Sequence, residues 1–146
     1  EAAAGGHMLE GSAVIACLAG DIRPDMVAAL DRIRAAGLGL GCITNNVPTG
    51  HGPGMAGSAD KAAAVAAILA RFDHVIESSK VGVRKPDPRI YQMMVDALGA
   101  DPAACIYLDD LGINCKPAAM LGMQAIKVTS SDQARADLAA LLGMAL

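Results

Sequence analysis

Three polar groups stand at or just beyond the ends of apolar runs. Thr44 and Asn45 close LGLGCITNN (38–46), Lys85 lies in the basic loop SKVGVRKPDP (79–88), and Asp109 and Asp110 close ACIYLDD (104–110). A hydroxyl and a backbone amide at Thr44 and Asn45 can donate to phosphate oxygens. A lysine can neutralise charge on a transferring group, and two carboxylates can hold a hard cation such as magnesium. Adjacent like charges cost free energy unless a cation or a hydrogen-bond network compensates them, so Asp109 and Asp110 require a partner. Taken singly, each group has an ordinary structural explanation: a strand-end turn, a solvated lysine, a helix N-cap with an exposed neighbour. Taken together at three strand ends, they read as one phosphate- and cation-binding site.

The elements that must position them alternate along the chain. DIRPDMVAALDRIRAAG (21–37) predicts an amphipathic helix with Pro24 in its first turn, Val27, Leu30 and Ile33 on one face and Gly37 as its C-cap. A buried strand follows over 38–46, then the Gly/Pro loop VPTGHGPGM (47–55) carrying His51, which reads as a surface histidine, and a helix over 58–71. Next come a short strand at 73–78, the Lys85 loop with Arg84 and Arg89 as surface charges, and a helix starting near Pro86 with Ile90, Met93, Met94 and Ala97 as its apolar face. The strand at 104–110, a short helix whose Asn114 and Lys116 read as a cap and a surface charge as readily as active-site groups, a strand at 123–128 and a last helix complete the order. Such alternation predicts an α/β fold with a parallel sheet and helices on both faces, and in such sheets the ligand site lies beyond the C-terminal ends of the strands.

Composition narrows the function classes. With 146 residues, 53% of them hydrophobic, the chain can bury one domain core. The formal charge of −3, from 12 basic and 15 acidic residues spread without runs, argues against a nucleic-acid or anionic-membrane partner. Aromatic residues make up 2% and Trp is absent, which disfavours base-stacking or carbohydrate platforms. Cys17, Cys42, Cys105 and Cys115 show no metal-ligand spacing and read as reduced, buried thiols. No apolar stretch reaches the roughly 18 residues that span a membrane, and the N-terminus lacks a signal-peptide pattern, so the cytosol is the default expectation.

Three segments together resemble the haloacid dehalogenase (HAD) superfamily of aspartate-nucleophile hydrolases. ITNN is similar to the family's second motif, GVRKPDPRIY to its lysine-bearing third motif and IYLDDLGINCKPAAMLGM to its acidic fourth motif, in order and over residues 21 to 143. KPDPRIY and LDDLGINCKPAAMLGM most resemble the phosphatase domains of soluble epoxide hydrolase and acyl-CoA dehydrogenase family member 10. The resemblance implies a Rossmann-like core and a magnesium-dependent phosphatase acting on a small phosphorylated substrate. Carried onto this chain, Thr44 and Asn45 bind phosphate and Lys85 bridges nucleophile and phosphate. Asp110 ligates Mg2+ directly, and Asp109 pairs with Lys85 or supports the metal. Dehalogenation, which needs no metal, would leave the paired aspartates without a purpose.

One part of the family pattern is missing. The first motif, D-x-D-x-(T/V), supplies the nucleophile, the general acid and the central strand between the second- and fourth-motif strands, and this chain contains no D-x-D. The expectation is therefore a core over 21–146 with an open central slot, preceded at 1–20 by the remnant of a cap domain and its return linker. On that reading the chain begins partway through a longer protein and is inactive alone. Two other arrangements remain open: AVIACLAGD (13–21), a strand-length run that equally fits a buried helix segment, fills the slot and brings Asp21 near the nucleophile position, or a strand exchanges between copies in a homo-oligomer. A truncated or degenerate domain serving as a non-catalytic phosphate- or metal-binding or assembly module is the alternative function.

Overall fold

Pro24 brings the fixed φ and absent N–H that suit a first helical turn, and the first helix, α1, runs Pro24–Ala35. The computed structural model describes residues 20–47 and 58–146, together with Gly6 and Ala56; Cys17, His51 and the run 13–19 lie outside the described residues. After α1 come β1 (Gly41–Thr44), α2 (Ala59–Leu69), β2 (His74–Glu77), α3 (Ser78–Val81), α4 (Pro88–Leu98), β3 (Ile106–Asp109), α5 (Gly112–Leu121), β4 (Gln124–Lys127) and α6 (Ser131–Leu142). The Ser58 hydroxyl accepts from the Lys61 N–H to cap α2, and the Ser130 hydroxyl accepts from the Gln133 N–H to cap α6. Asp87 caps α4 and Pro88 occupies its first position, so this helix begins two residues beyond the expected Pro86. The single turn α3 falls inside what the sequence pattern suggests is loop; Gly82, at φ 70°, ends it in the left-handed region.

The strands form two parallel pairs. β1 lies beside β2, with Thr44 opposite Glu77, and β3 lies beside β4, with Asp109 opposite Lys127. Among the described residues no strand pairs with the second edge of β1 or of β3, so each of these two strands has one hydrogen-bonded neighbour. A shared helical layer holds the pairs together: α4 packs on β1, β2 and α5, while α5 packs on β3 and β4. Its core contains Ile76, Ile90, Tyr91, Met94, Val95, Ala118 and Met123, with Ile43 and Tyr107 packed against it. A second core of Ile33, Leu40, Ile126 and Leu138 joins α1 and α6 to the strands and takes Ile106 and Leu108. Because Tyr107 enters one core and its neighbours Ile106 and Leu108 the other, the strand layer has helices on both faces, as the alternation predicts.

The buried stripe of α4 differs from the expected one. Ile90, Tyr91, Met94 and Val95 are buried, whereas Met93 is 37% exposed and Ala97 is exposed. The stripe turns toward Tyr91 because its phenol finds an interior partner, donating to the Asn114 carbonyl at 2.8 Å, and because its ring meets Tyr107 edge-on with centroids 5.2 Å apart. Gly41 marks where α4 comes closest to β1: a Cβ there would sit 2.5 Å from Met94 Sδ and 3.1 Å from Leu98 Cδ1. Gly41→Ala is expected to cost about 1–3 kcal/mol in urea denaturation, as overpacked cores do.

Candidate active site

Asp109 ends β3 and is 8% exposed, so its charge survives only if its oxygens are satisfied. All four approaches are taken. Oδ2 accepts from Lys85 Nζ at 2.8 Å and from the Tyr107 hydroxyl at 2.7 Å. Oδ1 accepts from the Leu111 N–H at 2.9 Å and from Asn114 Nδ2 at 3.0 Å. Burial alone pushes this carboxyl upward; Lys85, the Leu111 N–H, Asn114 and Tyr107 outweigh it and hold it below the ordinary carboxylate range. Burial, then the Asp109 carboxylate, raises the Tyr107 phenol far above its usual range, which keeps it a donor. The buried Cys115 thiol is likewise raised, first by burial and then by Asp109.

Lys85 reaches Asp109 from the loop after α3, and its side chain is 14% exposed. Its backbone is fixed from β1: Asn45 Nδ2 donates to the Lys85 carbonyl at 3.0 Å and Asn45 Oδ1 accepts from the Lys85 N–H at 2.9 Å. This two-point clamp commits the Asn45 side chain to positioning Lys85, leaving its backbone N–H as the group that can face a ligand. Thr44 ends β1 half-buried, and among the described residues its hydroxyl makes no hydrogen bond. An ammonium donates three N–H groups and Asp109 takes one, so Lys85 retains capacity for a second anion. Asn45, Lys85 and Asp109 thus link the two strand pairs at their C-terminal ends, where Thr44 is the last residue of β1.

Asp110 is exposed and, among the described residues, makes no side-chain hydrogen bond. No group of three or more His, Cys, Asp or Glu side chains gathers as a metal site among the described residues. A magnesium site of one carboxylate completed by phosphate oxygens and water needs no such cage, and Asp110 is the carboxylate that could serve it. The opposed demands on the aspartates are therefore met differently, with Asp109 enclosed by donors and Asp110 open.

From sequence Tyr107 gives no sign of a site role, and Asn114 reads as readily as a helix cap. Tyr107 could be anticipated from strand geometry, since residues two apart share a face and it precedes Asp109 by two. Asn114 is buried at 4% exposure and joins two functions: its amide holds Asp109 and its carbonyl receives Tyr91. Lys116 is exposed, and Arg89 pairs with Asp87 at 2.7 Å, the surface role expected of it. Cys42 and Cys105 are half-buried and Cys115 is buried, all three with free thiols.

The model of the haloacid dehalogenase-like hydrolase family matches residues 4–122. Acyl-CoA dehydrogenase family member 10 of Mus musculus is 41% identical over 123 residues, which cover 84% of this chain and 11% of that protein. Phosphatase MT3486 of Mycobacterium tuberculosis is 36% identical over 112 residues, 77% of this chain and 48% of that protein. The chain thus spans less than half the length of either curated relative. A HAD family enzyme of Bacteroides thetaiotaomicron (bt-2542), solved in complex with magnesium and inorganic phosphate, shares the fold with a TM-score of 0.64 at 19% identity, covering 89% of this chain and 66% of that one. With the family matched across residues 4–122, and with ITNN, the Lys85 loop and the Asp109 strand end drawn to one place, this chain belongs to the haloacid dehalogenase-like hydrolases.

Proposed function

We propose that this chain supplies most of the catalytic core of a cytosolic, magnesium-dependent phosphatase that hydrolyses small phosphomonoesters through an aspartyl-phosphate. The observation that carries the proposal is the near-buried Lys85 ammonium, aligned by Asn45, the residue after Thr44, and held 2.8 Å from Asp109. Thr44 and the Asn45 N–H donate to phosphoryl oxygens, and the remaining Lys85 donors draw phosphate and nucleophile together. Asp109 orients Lys85, and Asp110 is the protein carboxylate for Mg2+. When bound, magnesium supplies positive charge that neutralises the phosphoryl oxygens. The phosphatase name of the Mycobacterium tuberculosis relative and the magnesium and phosphate in the Bacteroides structure support the chemistry.

The nucleophile comes from a strand lying between β1 and β3, each of which has an unpaired edge among the described residues. Its first carboxylate attacks phosphorus, a second protonates the departing alkoxide, and water then cleaves the acyl phosphate to regenerate the carboxylate. The absence of D-x-D favours a second reading, a non-catalytic phosphate-binding or assembly module. Purified alone with magnesium and p-nitrophenyl phosphate, the 146-residue chain is expected to give no turnover above buffer. Fusing an apolar strand ending in D-x-D ahead of it is expected to restore turnover that a chelator removes. Hydrolysis by the chain alone would overturn the assignment of the nucleophile to another strand, and silence after fusion would favour the non-catalytic module.

A further inference from the structure

A cavity of about 340 Å³ opens beside the Asn45–Lys85 clamp, sharing Asn45 as part of its wall. Among the described residues no carboxylate lines it; its polar groups come from Asn45 and Asn46 after β1, Ser78 and Ser79 of α3, and Arg84, the residue before Lys85. Several of these are already committed. Asn46 Nδ2 donates to Glu77 at 2.9 Å, its Oδ1 accepts from the Ser79 N–H at 3.1 Å, and the Ser78 hydroxyl donates to the Asn46 carbonyl at 3.4 Å. Neighbouring cations are committed too: Lys80 lies 2.8 Å from Glu77, Lys85 2.8 Å from Asp109 and Arg89 2.7 Å from Asp87. Arg84 is the exception. Among the described residues its guanidinium has no carboxylate partner, and the hydroxyl of Ser79, which lines the same cavity, makes no hydrogen bond.

A guanidinium is a planar fork that matches carboxylate or phosphate with two parallel hydrogen bonds, and among the described residues of this wall no acidic group competes for it. We propose that this cavity receives the part of the substrate that is not transferred, and that Arg84 recognises a second oxyanion carried there. The substrate class is then a phosphorylated small acid or a bisphosphate, rather than the phosphate of a neutral alcohol. This inference rests on Lys85 binding the first phosphate.

The test is titration calorimetry of this chain in magnesium-free buffer with three ligands: methylphosphonate, phosphonoacetate and methylenebisphosphonate. At least one two-headed ligand is expected to bind about tenfold more tightly than methylphosphonate, and which one does so distinguishes carboxylate from phosphate. Arg84→Gln, at an exposed position, is expected to abolish that advantage while leaving methylphosphonate affinity within about twofold, and Arg84→Lys to restore only part of it. Equal affinity for the three ligands, or an advantage that survives Arg84→Gln, overturns the inference while leaving the phosphate role of Lys85 intact. Binding of none of the three overturns both.

Discussion

Lys85→Met is expected to lower the unfolding free energy by about 3 kcal/mol near neutral pH, the low end of the cost of stranding one partner of a buried ion pair. The low end applies because Asp109 would retain Tyr107, Asn114 and the Leu111 N–H as donors. The loss should also depend on pH in a particular direction. In the unaltered protein Asp109 is held below the ordinary carboxylate range, against the upward push of burial, so its contribution is fully present above that range and is lost as pH falls through the native value. In Lys85→Met burial acts without the ammonium to oppose it, the carboxyl shifts upward, and its protonation removes the unpaired charge. The gap between the two proteins should therefore narrow from about pH 7 to about pH 4.5, which urea denaturation at each pH measures directly. A gap that is constant across that interval would mean that Lys85 acts through packing rather than by compensating Asp109.

Much of this site was legible because its members are punctuation. Thr44 and Asp109 end strands marked by apolar runs, and Lys85 sits in a loop marked by Gly82 and Pro86, so the topology alone sends them to one end of the strand layer. Their contacts span 40 residues, from Asn45 to Lys85, and 24 residues, from Lys85 to Asp109, and neither separation has a local signal. What the pattern could not disclose was the division of labour. The sequence offers the Asn45 backbone amide to phosphate and says nothing of its side chain, which closes on the Lys85 backbone; Asn114 reads as readily as a cap as a site residue, and it is one of four donors to Asp109. Periodicity reports which side of an element faces inward, but a buried polar atom chooses its partner by three-dimensional convergence. The rotation of the α4 stripe toward Tyr91 has the same origin, since a phenol with an interior acceptor buries where a counting rule places Met93 and Ala97.

The two adjacent aspartates should separate cleanly by experiment. Asp109→Asn replaces an acceptor of four hydrogen bonds with a group that accepts at one atom and donates at the other, so its amide must face either Lys85 and Tyr107 or Leu111 and Asn114, all of them donors. That conflict is expected to cost about 2–3 kcal/mol of stability and to release Lys85 from its position. Asp110→Asn alters an exposed side chain with no hydrogen bond among the described residues, and stability should change by no more than about 0.5 kcal/mol. With the nucleophile-bearing strand present, however, the same substitution is expected to lower magnesium-dependent turnover by about 10²–10³-fold, the scale of losing one preorganised electrostatic contact to a developing charge. Thermal melts of the two variants, set beside turnover across a magnesium titration, distinguish a structural aspartate from a metal-facing one. If Asp110→Asn left turnover unchanged, the cation would have to draw on Asp109, and Asp109 could reach it only by giving up one of the four donors that make its burial tolerable.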